Sequence, residues 1–394
     1  MTSTRRFTLF AVLAATLAGC GVSAGMGPMG AAWTGDGFAA QNAVAPWAMY
    51  TFFAMDNDLD RGNGAIREIA ETRTPSVVTA SLWDGVQQGD SQLFFQSGPG
   101  LEMQAGNKGE VDSGTAAALE KFVAEATTVS PAKQRVLTMT DHGGGIVRGI
   151  CSDWNGPGGK KIIHLNEVSK VLAKFPVDVL NFDACFMNMI EVAYEVRGGA
   201  KFLTGAQTTT YANEFSYGAA VGAIEKNKAS AQAVAASMTE VGHRTSSKTH
   251  SYSTVDTAKS EAVATAVKDL AGAMNAKMGT KKDAMRQAVA GSQAYSAEAE
   301  ARYQLYNNYR DLGDIADSLA KLGDPELTQA AKGVRTAISQ AVIAKQYEAM
   351  WQSPQLQRVS GMMIYAPADG TVDQGYLTRS SFARDTGWAT RWSS

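Results

Sequence analysis

Two apolar runs dominate the hydrophobic pattern of this chain. Residues 136–140 form a strand-like run that delivers Asp141-His142-Gly143-Gly144-Gly145, and residues 177–182 form a second that delivers Asp183-Ala184-Cys185. After Cys185 the apolar positions of 186–196 recur at helical spacing, which predicts a strand-to-helix junction at the thiol. Around these runs the pattern alternates. Strands are predicted at 47–55, 77–83, 92–96 and 201–207, and helices at 59–71, 114–129 and 166–175. Residues 229–348 turn Ala-, Lys- and Gln-rich with helical periods, and 359–365 returns to strand chemistry. The alternating order predicts an α/β fold: a central, mostly parallel sheet flanked by helices, with a largely helical C-terminal insertion. In such sheets, reactive side chains gather on loops at the carboxyl edge.

Composition narrows the field. A chain of 394 residues has ample material for a buried core. With 36 basic against 38 acidic residues and no basic tract, it lacks the electrostatic footprint of a nucleic-acid binder. At the amino terminus, Arg5-Arg6 precede a short apolar core at 7–18 and then Leu17-Ala18-Gly19-Cys20. That core is too short for a permanent membrane span, and the tetrapeptide resembles a bacterial lipobox. Residues 1–19 are thus expected to be a lipoprotein signal peptide, with Cys20 the lipidated residue; an ordinary export signal with an incidental cysteine is the alternative. Residues 20–45, rich in Gly and Ala, are expected to be a flexible tether, and 46–394 the folded domain. The expected location is the cell envelope, held to the membrane by the N-terminal lipid. Gly21 lacks the acidic inner-membrane retention cue, which leans toward the outer membrane. The chain is expected to act as a monomer. Of three cysteines, Cys151 and Cys185 remain after lipidation, too few for a disulfide scaffold.

A thiol and an imidazole on neighbouring strand ends are the minimum parts for nucleophilic catalysis. Cys185 at the start of a helix would gain a lowered pKa from unpaired amides and the helix dipole. The glycines after His142 allow close backbone approach, and the Gly143 amide is a candidate oxyanion donor. Asp183 projects to the same face as the thiol, where it either lines a pocket or caps the following helix. Cys151 is the rival thiol but lacks that setting. No G-x-S-x-G stands at a strand-to-helix turn (Gly21-Val22-Ser23-Ala24-Gly25 falls in the expected tether), no HExxH occurs, and His164, His243 and His250 are scattered, so no zinc is expected. Asp56, Asp58 and Asp60 have the spacing that opens an EF-hand, but Arg61 stands where glycine is required and Arg67 where the bidentate acid belongs; a strand-to-helix turn is expected instead. From these residues alone, no metal site is predicted.

The segments Val136-Leu137-Thr138-Met139-Thr140-Asp141-His142-Gly143 and Val179-Leu180-Asn181-Phe182-Asp183-Ala184-Cys185-Phe186-Met187 resemble the His-Gly and Asp-Ala-Cys blocks of clostripain-like cysteine peptidases, members of the caspase-like clan. Met55-Asp56-Asn57-Asp58-Leu59, residues 109–122, 187–195, 361–367 and 382–388 extend the resemblance. It implies a caspase-like fold and an endopeptidase acting on polypeptides, with His142 and Cys185 the catalytic pair. It further implies cleavage after Arg or Lys, with Asp183 binding the basic side chain. Self-processing after a basic residue beyond the histidine is also implied, at Lys160 or Lys161 in a Gly-rich loop, or at Arg148. Where relatives commonly carry Ser-Glu, this chain has Gly205-Ala206-Gln207-Thr208, leaving Glu214 as the candidate second acid of the pocket. Clostripain depends on calcium, so calcium is raised as a cofactor by the same resemblance. The competing class is a catalytically inactive surface lipoprotein that keeps the fold for binding.

Overall fold

The computed structural model describes residues 44–60, 62–156, 158–296, 301–349 and 356–390, with the side chains of 301–303 not described. The expected signal peptide, Cys20 and nearly all of the expected tether lie outside the described residues.

The strands, in chain order, are β1 (Ala45–Ala54), β2 (Val77–Asp84), β3 (Ser91–Phe95), β4 (Gln104–Gly109), β5 (Ala132–Thr140), β6 (Ile150–Asp153), β7 (Lys161–Ile163), β8 (Val177–Asp183), β9 (Ala200–Ala206), β10 (His250–Asp256), β11 (Tyr309–Asp311), β12 (Val342–Glu348) and β13 (Met363–Tyr365). Nine of them form one sheet in the order β12-β10-β9-β8-β5-β1-β2-β3-β4. Its middle, from β9 to β2, is parallel, and both margins are antiparallel. The central strands are apolar on both faces because helices cover both. Along β1, Ala48, Tyr50, Phe52 and Ala54 enter one core while Trp47, Met49 and Phe53 enter the other.

Several helices start later than their apolar periods suggest. The first is Gly64–Glu71 rather than 59–71, and the one after the cysteine is Ile190–Val196 rather than 186–196. In both cases the described residues in between form the turn that leaves the sheet. Strand β4 was not anticipated, because Gln104–Gly109 carries no large apolar residue and only pairs at an edge. The region 229–348 is mainly helical, as in Ala231–Thr245, Ser260–Ala276 and Pro325–Ala341, yet it also supplies β10 and β12 to the sheet. Strand β10 reads His-Ser-Tyr-Ser-Thr-Val-Asp, which hides its burial. Its hydroxyls find partners inside: Thr254 Oγ1 lies 3.1 Å from Thr204 Oγ1 and 2.7 Å from Thr239 Oγ1, and Ser253 Oγ donates to the Gly361 carbonyl at 2.6 Å.

Candidate active site

Strands β5 and β8 are neighbours and parallel, with Thr140 registered against Asp183. His142 and Cys185 each follow that pair by two residues, so both side chains emerge at the same carboxyl edge and line one cavity of about 430 Å³. Gly143 lies so close to the second strand end that a Cβ there would sit 2.4 Å from the Cys185 carbonyl oxygen and 2.9 Å from its nitrogen. Only glycine permits this approach.

Cys185 sits in a turn, not at a helix start. Phe186 has φ of 61° and its amide donates to the Thr208 carbonyl at 3.1 Å, while the helix begins only at Ile190. The expected dipole effect on the thiol is therefore absent, and its pKa moves up instead. Burial is the largest cause; the Thr210 backbone and hydroxyl and the Gly143 amide pull it back, and the charge of Asp183 adds to the rise. The Thr210 amide donates to Sγ at 3.3 Å. Thr210 was not singled out from sequence, since nothing in the loop 208–217 marks which residue returns to the sulfur.

His142 is partly exposed. Its Nε2 lies 2.7 Å from Asp58 Oδ1, and its ring stacks on Trp154 with centroids 6.2 Å apart and planes 5° from parallel. The sequence pattern marks Asp58 only as part of a turn. The turn is held by Asn57, whose amide donates to Ala54 O at 3.0 Å, Asp141 Oδ1 at 2.8 Å and Ser152 O at 2.8 Å. This clamp ties the end of β1 to the end of β5 and sets Asp58 beside the imidazole. The available signal was that Asp-Asn-Asp closes a strand.

Inside the cavity, Phe53, Trp83, Phe215 and Tyr217 form apolar walls, with the Phe53 and Tyr217 rings 4.9 Å apart. Asp183 lines it too. The Tyr217 hydroxyl donates to Asp183 Oδ2 at 2.6 Å and lies 2.7 Å from Thr140 Oγ1, which must then donate to it. Burial raises the Asp183 pKa from 3.8 to about 6 against the lowering effect of the Tyr217 bond. Asp183 thus faces the pocket and does not cap the helix at Ile190.

Glu214 does not line the cavity, whose wall passes from Asn213 to Phe215. Its carboxylate accepts instead from the backbone amide of Ser247 at 3.1 Å and from the Ser247 hydroxyl. Cys151 is buried on β6, outside the cavity, with burial pushing its thiol well up. Lys160 is exposed, its ammonium 4.1 Å over the Trp154 ring; Lys161 pairs with Asp112; Arg148 is exposed.

The sequence pattern predicts no metal site, but three strand ends bring carboxylates together. Oxygens of Asp56, Asp84 and Asp153 lie within 4.8 Å of one another, and all three residues are buried. Asp84 Oδ2 and Asp153 Oδ2 have no hydrogen-bond partner. Burial raises Asp84 to about 7 and Asp56 to about 6, with neighbouring acids adding to each. Orphaned buried carboxylate oxygens are the donors a hard cation takes.

Residues 77–393 match the sequence model of the Clostripain family. This chain belongs to the clostripain family. Within the family it is 34% identical over 110 residues to clostripain of Hathewaya histolytica, a stretch that is 25% of this chain and 21% of that protein. Its clostripain-family fold matches, with a TM-score of 0.69 and 18% identity, a secreted C11 cysteine protease from Bacteroides thetaiotaomicron solved with an irreversible peptide inhibitor; 87% of this chain and 99% of that one are covered. An inactive zymogen C11 protease from Parabacteroides distasonis matches with a TM-score of 0.64 and 19% identity, again over 87% and 99%. The expected caspase-like architecture is the observed one, its sheet parallel in the middle and antiparallel at both margins.

Proposed function

We propose that this clostripain-family chain is an endopeptidase that cuts polypeptides after Arg or Lys, with Cys185 as nucleophile and His142 as proton carrier. The observation that carries this reading is a single cavity holding a thiol, an imidazole and, between aromatic walls, the Asp183 carboxylate. The aliphatic stem of a basic residue lies along Phe53 and Tyr217 while its charge meets Asp183, a pairing that a buried carboxylate favours.

Because the Cys185 thiol is raised rather than lowered, it is not a standing thiolate. His142 takes the thiol proton as the sulfur attacks the scissile carbonyl, then passes that proton to the leaving amine. Water next adds to the thioester carbon, giving its proton to His142, and the carboxylate product leaves as the thiol is re-formed. The Gly143 amide, close to the thiol, is the oxyanion donor. Asp58 keeps the imidazole oriented.

Calcium fits the cluster of Asp56, Asp84 and Asp153, where it would neutralise buried negative charge. Those residues neighbour Asn57 and Asp58, so they bear on the shape of the turn that supports His142. Anchoring at the cell envelope through a lipidated Cys20 is supported by the Leu17-Ala18-Gly19-Cys20 motif. Processing at the exposed Lys160 is supported by its Gly-rich loop.

The test compares the unaltered chain with Cys185→Ala and His142→Ala on fluorogenic peptides ending in Arg, Lys or Leu. Both variants should lose activity, and the unaltered chain should favour Arg and Lys. Equal hydrolysis by all three proteins rejects the mechanism, and equal use of Leu rejects the specificity.

A further inference from the structure

Away from the cavity, the fold brings together two histidines that are seven positions apart in sequence. His243 lies in the last turn of the helix Ala231–Thr245, and His250 opens β10. His243 Nδ1 and His250 Nε2 are 2.7 Å apart. Beside His250, β12 ends at Glu348, its registered antiparallel partner. One nitrogen from each ring and one Glu348 oxygen all lie within 4.8 Å of one another.

The protonation pattern follows from the partners. His250 Nδ1 lies 2.6 Å from the Lys248 carbonyl, which accepts only, so Nδ1 carries the hydrogen. In the neutral ring, Nε2 is then a lone pair aimed at His243. Burial keeps His250 neutral by lowering its pKa, with His243 pressing the same way and Glu348, Glu214 and the Lys248 carbonyl opposing. One proton therefore bridges two imidazole nitrogens beside a carboxylate. A backbone carbonyl that fixes the tautomer of a ligating histidine is the usual companion of a metal site.

We propose that His243, His250 and Glu348 bind a borderline transition-metal dication, of the Zn²⁺ type, in place of that bridging proton. Two imidazoles and one carboxylate supply three protein ligands and leave a fourth position open. His250 is 2% exposed with its Nδ1 held by the Lys248 carbonyl, whereas His243 is only partly buried at a helix end, so the change from hydrogen-bond to metal spacing falls to the His243 side chain. The site stands apart from the catalytic cavity and from the Asp56, Asp84 and Asp153 cluster. It nonetheless adjoins the loop 208–217, because Ser247, between the two histidines, holds Glu214.

The experiment is calorimetric titration of ZnCl₂ into the full chain carrying Cys185→Ala, with saturating CaCl₂ present to occupy the aspartate cluster, followed by Co²⁺ substitution and visible absorption. One Zn²⁺ equivalent is expected to bind, with affinity falling at least about 100-fold in His250→Gln and His243→Gln and about tenfold in Glu348→Gln. The Co²⁺ form is expected to show the intense visible bands of a four-coordinate ion. His243 is partly buried and Glu348 exposed, so their variants remain informative if His250→Gln misfolds. Absence of stoichiometric binding, or binding that survives His243→Gln unchanged, overturns the proposal. Binding lost instead in His142→Ala overturns it equally, since the ion would then sit at Asp58 and His142.

Discussion

Asp58 holds His142 at Nε2, 2.7 Å away, and a carboxylate only accepts, so this nitrogen carries the hydrogen and Nδ1 is the ring nitrogen left to exchange protons. Both residues are substantially exposed, at 61% and 39% of their side chains, so the contact orients more than it stabilises. Asp58→Ala should lower kcat/KM on basic peptides on the order of tenfold, a fraction of the roughly 10²–10⁴ that acid–base catalysis supplies. Asp58→Asn, which keeps an accepting oxygen, should recover most of the activity that Asp58→Ala loses. Steady-state kinetics decide it; an unchanged Asp58→Ala enzyme removes Asp58 from the mechanism.

Gly143 is tested by a single methyl. The added Cβ meets the Cys185 backbone well inside van der Waals contact, and backbone does not yield cheaply. Gly143→Ala should reduce kcat at least about 100-fold by displacing the nucleophile turn, a misplacement effect of the order expected for about 1 Å. Thermal unfolding should show the variant still folded. Wild-type kcat in Gly143→Ala would contradict the close approach.

The Asp183 carboxyl is raised from 3.8 to about 6, so it is neutral below that pH and negative above it. KM for Lys- and Arg-terminated peptides should therefore fall as pH rises through about 6, by roughly tenfold or more for a charge-assisted contact. Asp183→Asn should flatten that dependence. Tyr217→Phe should move its midpoint upward, because the phenol donates to the ionised form. A pH profile of KM identical in Asp183→Asn would exclude Asp183 as the basic-residue acceptor.

The acidic cluster makes stability depend on pH and on calcium. Asp84 and Asp56 have folded pKa values raised to about 7 and about 6 from 3.8, so the stability they contribute is fully present below 3.8 and is lost as pH rises through 6 to 7. In EDTA, Tm should drop between pH 5 and pH 8. CaCl₂ at pH 8 should restore a few degrees. Asp84→Asn should raise Tm in EDTA at pH 8 and weaken the calcium response. Buried Glu191, raised to about 8 and accepting from the Tyr365 amide at 2.9 Å, gives a loss of the same sign that calcium leaves untouched. No calcium response at pH 8 in the unaltered chain would exclude the cluster as its site.

The chain's own residues determined which strands end in His142 and Cys185, because an apolar run buried on both sheet faces is visible as a run and its glycine-rich exit is visible as a break. They also determined the alternating α/β order. Polar strands stayed hidden: β4 pairs only at an edge, and β10 is buried through hydroxyl pairing with Thr204 and Thr239, contacts that no local window contains. The sulfur's surroundings likewise depended on the returning loop that carries Thr210 and on a helix that begins at Ile190 rather than at the thiol, which reversed the expected shift in its pKa. Asp58 beside His142, the meeting of Asp56, Asp84 and Asp153, and the approach of His243 to His250 were decided only by tertiary structure. Each joins residues from different strand or helix ends, and which ends become neighbours is set by sheet order and register rather than by periodicity along the chain.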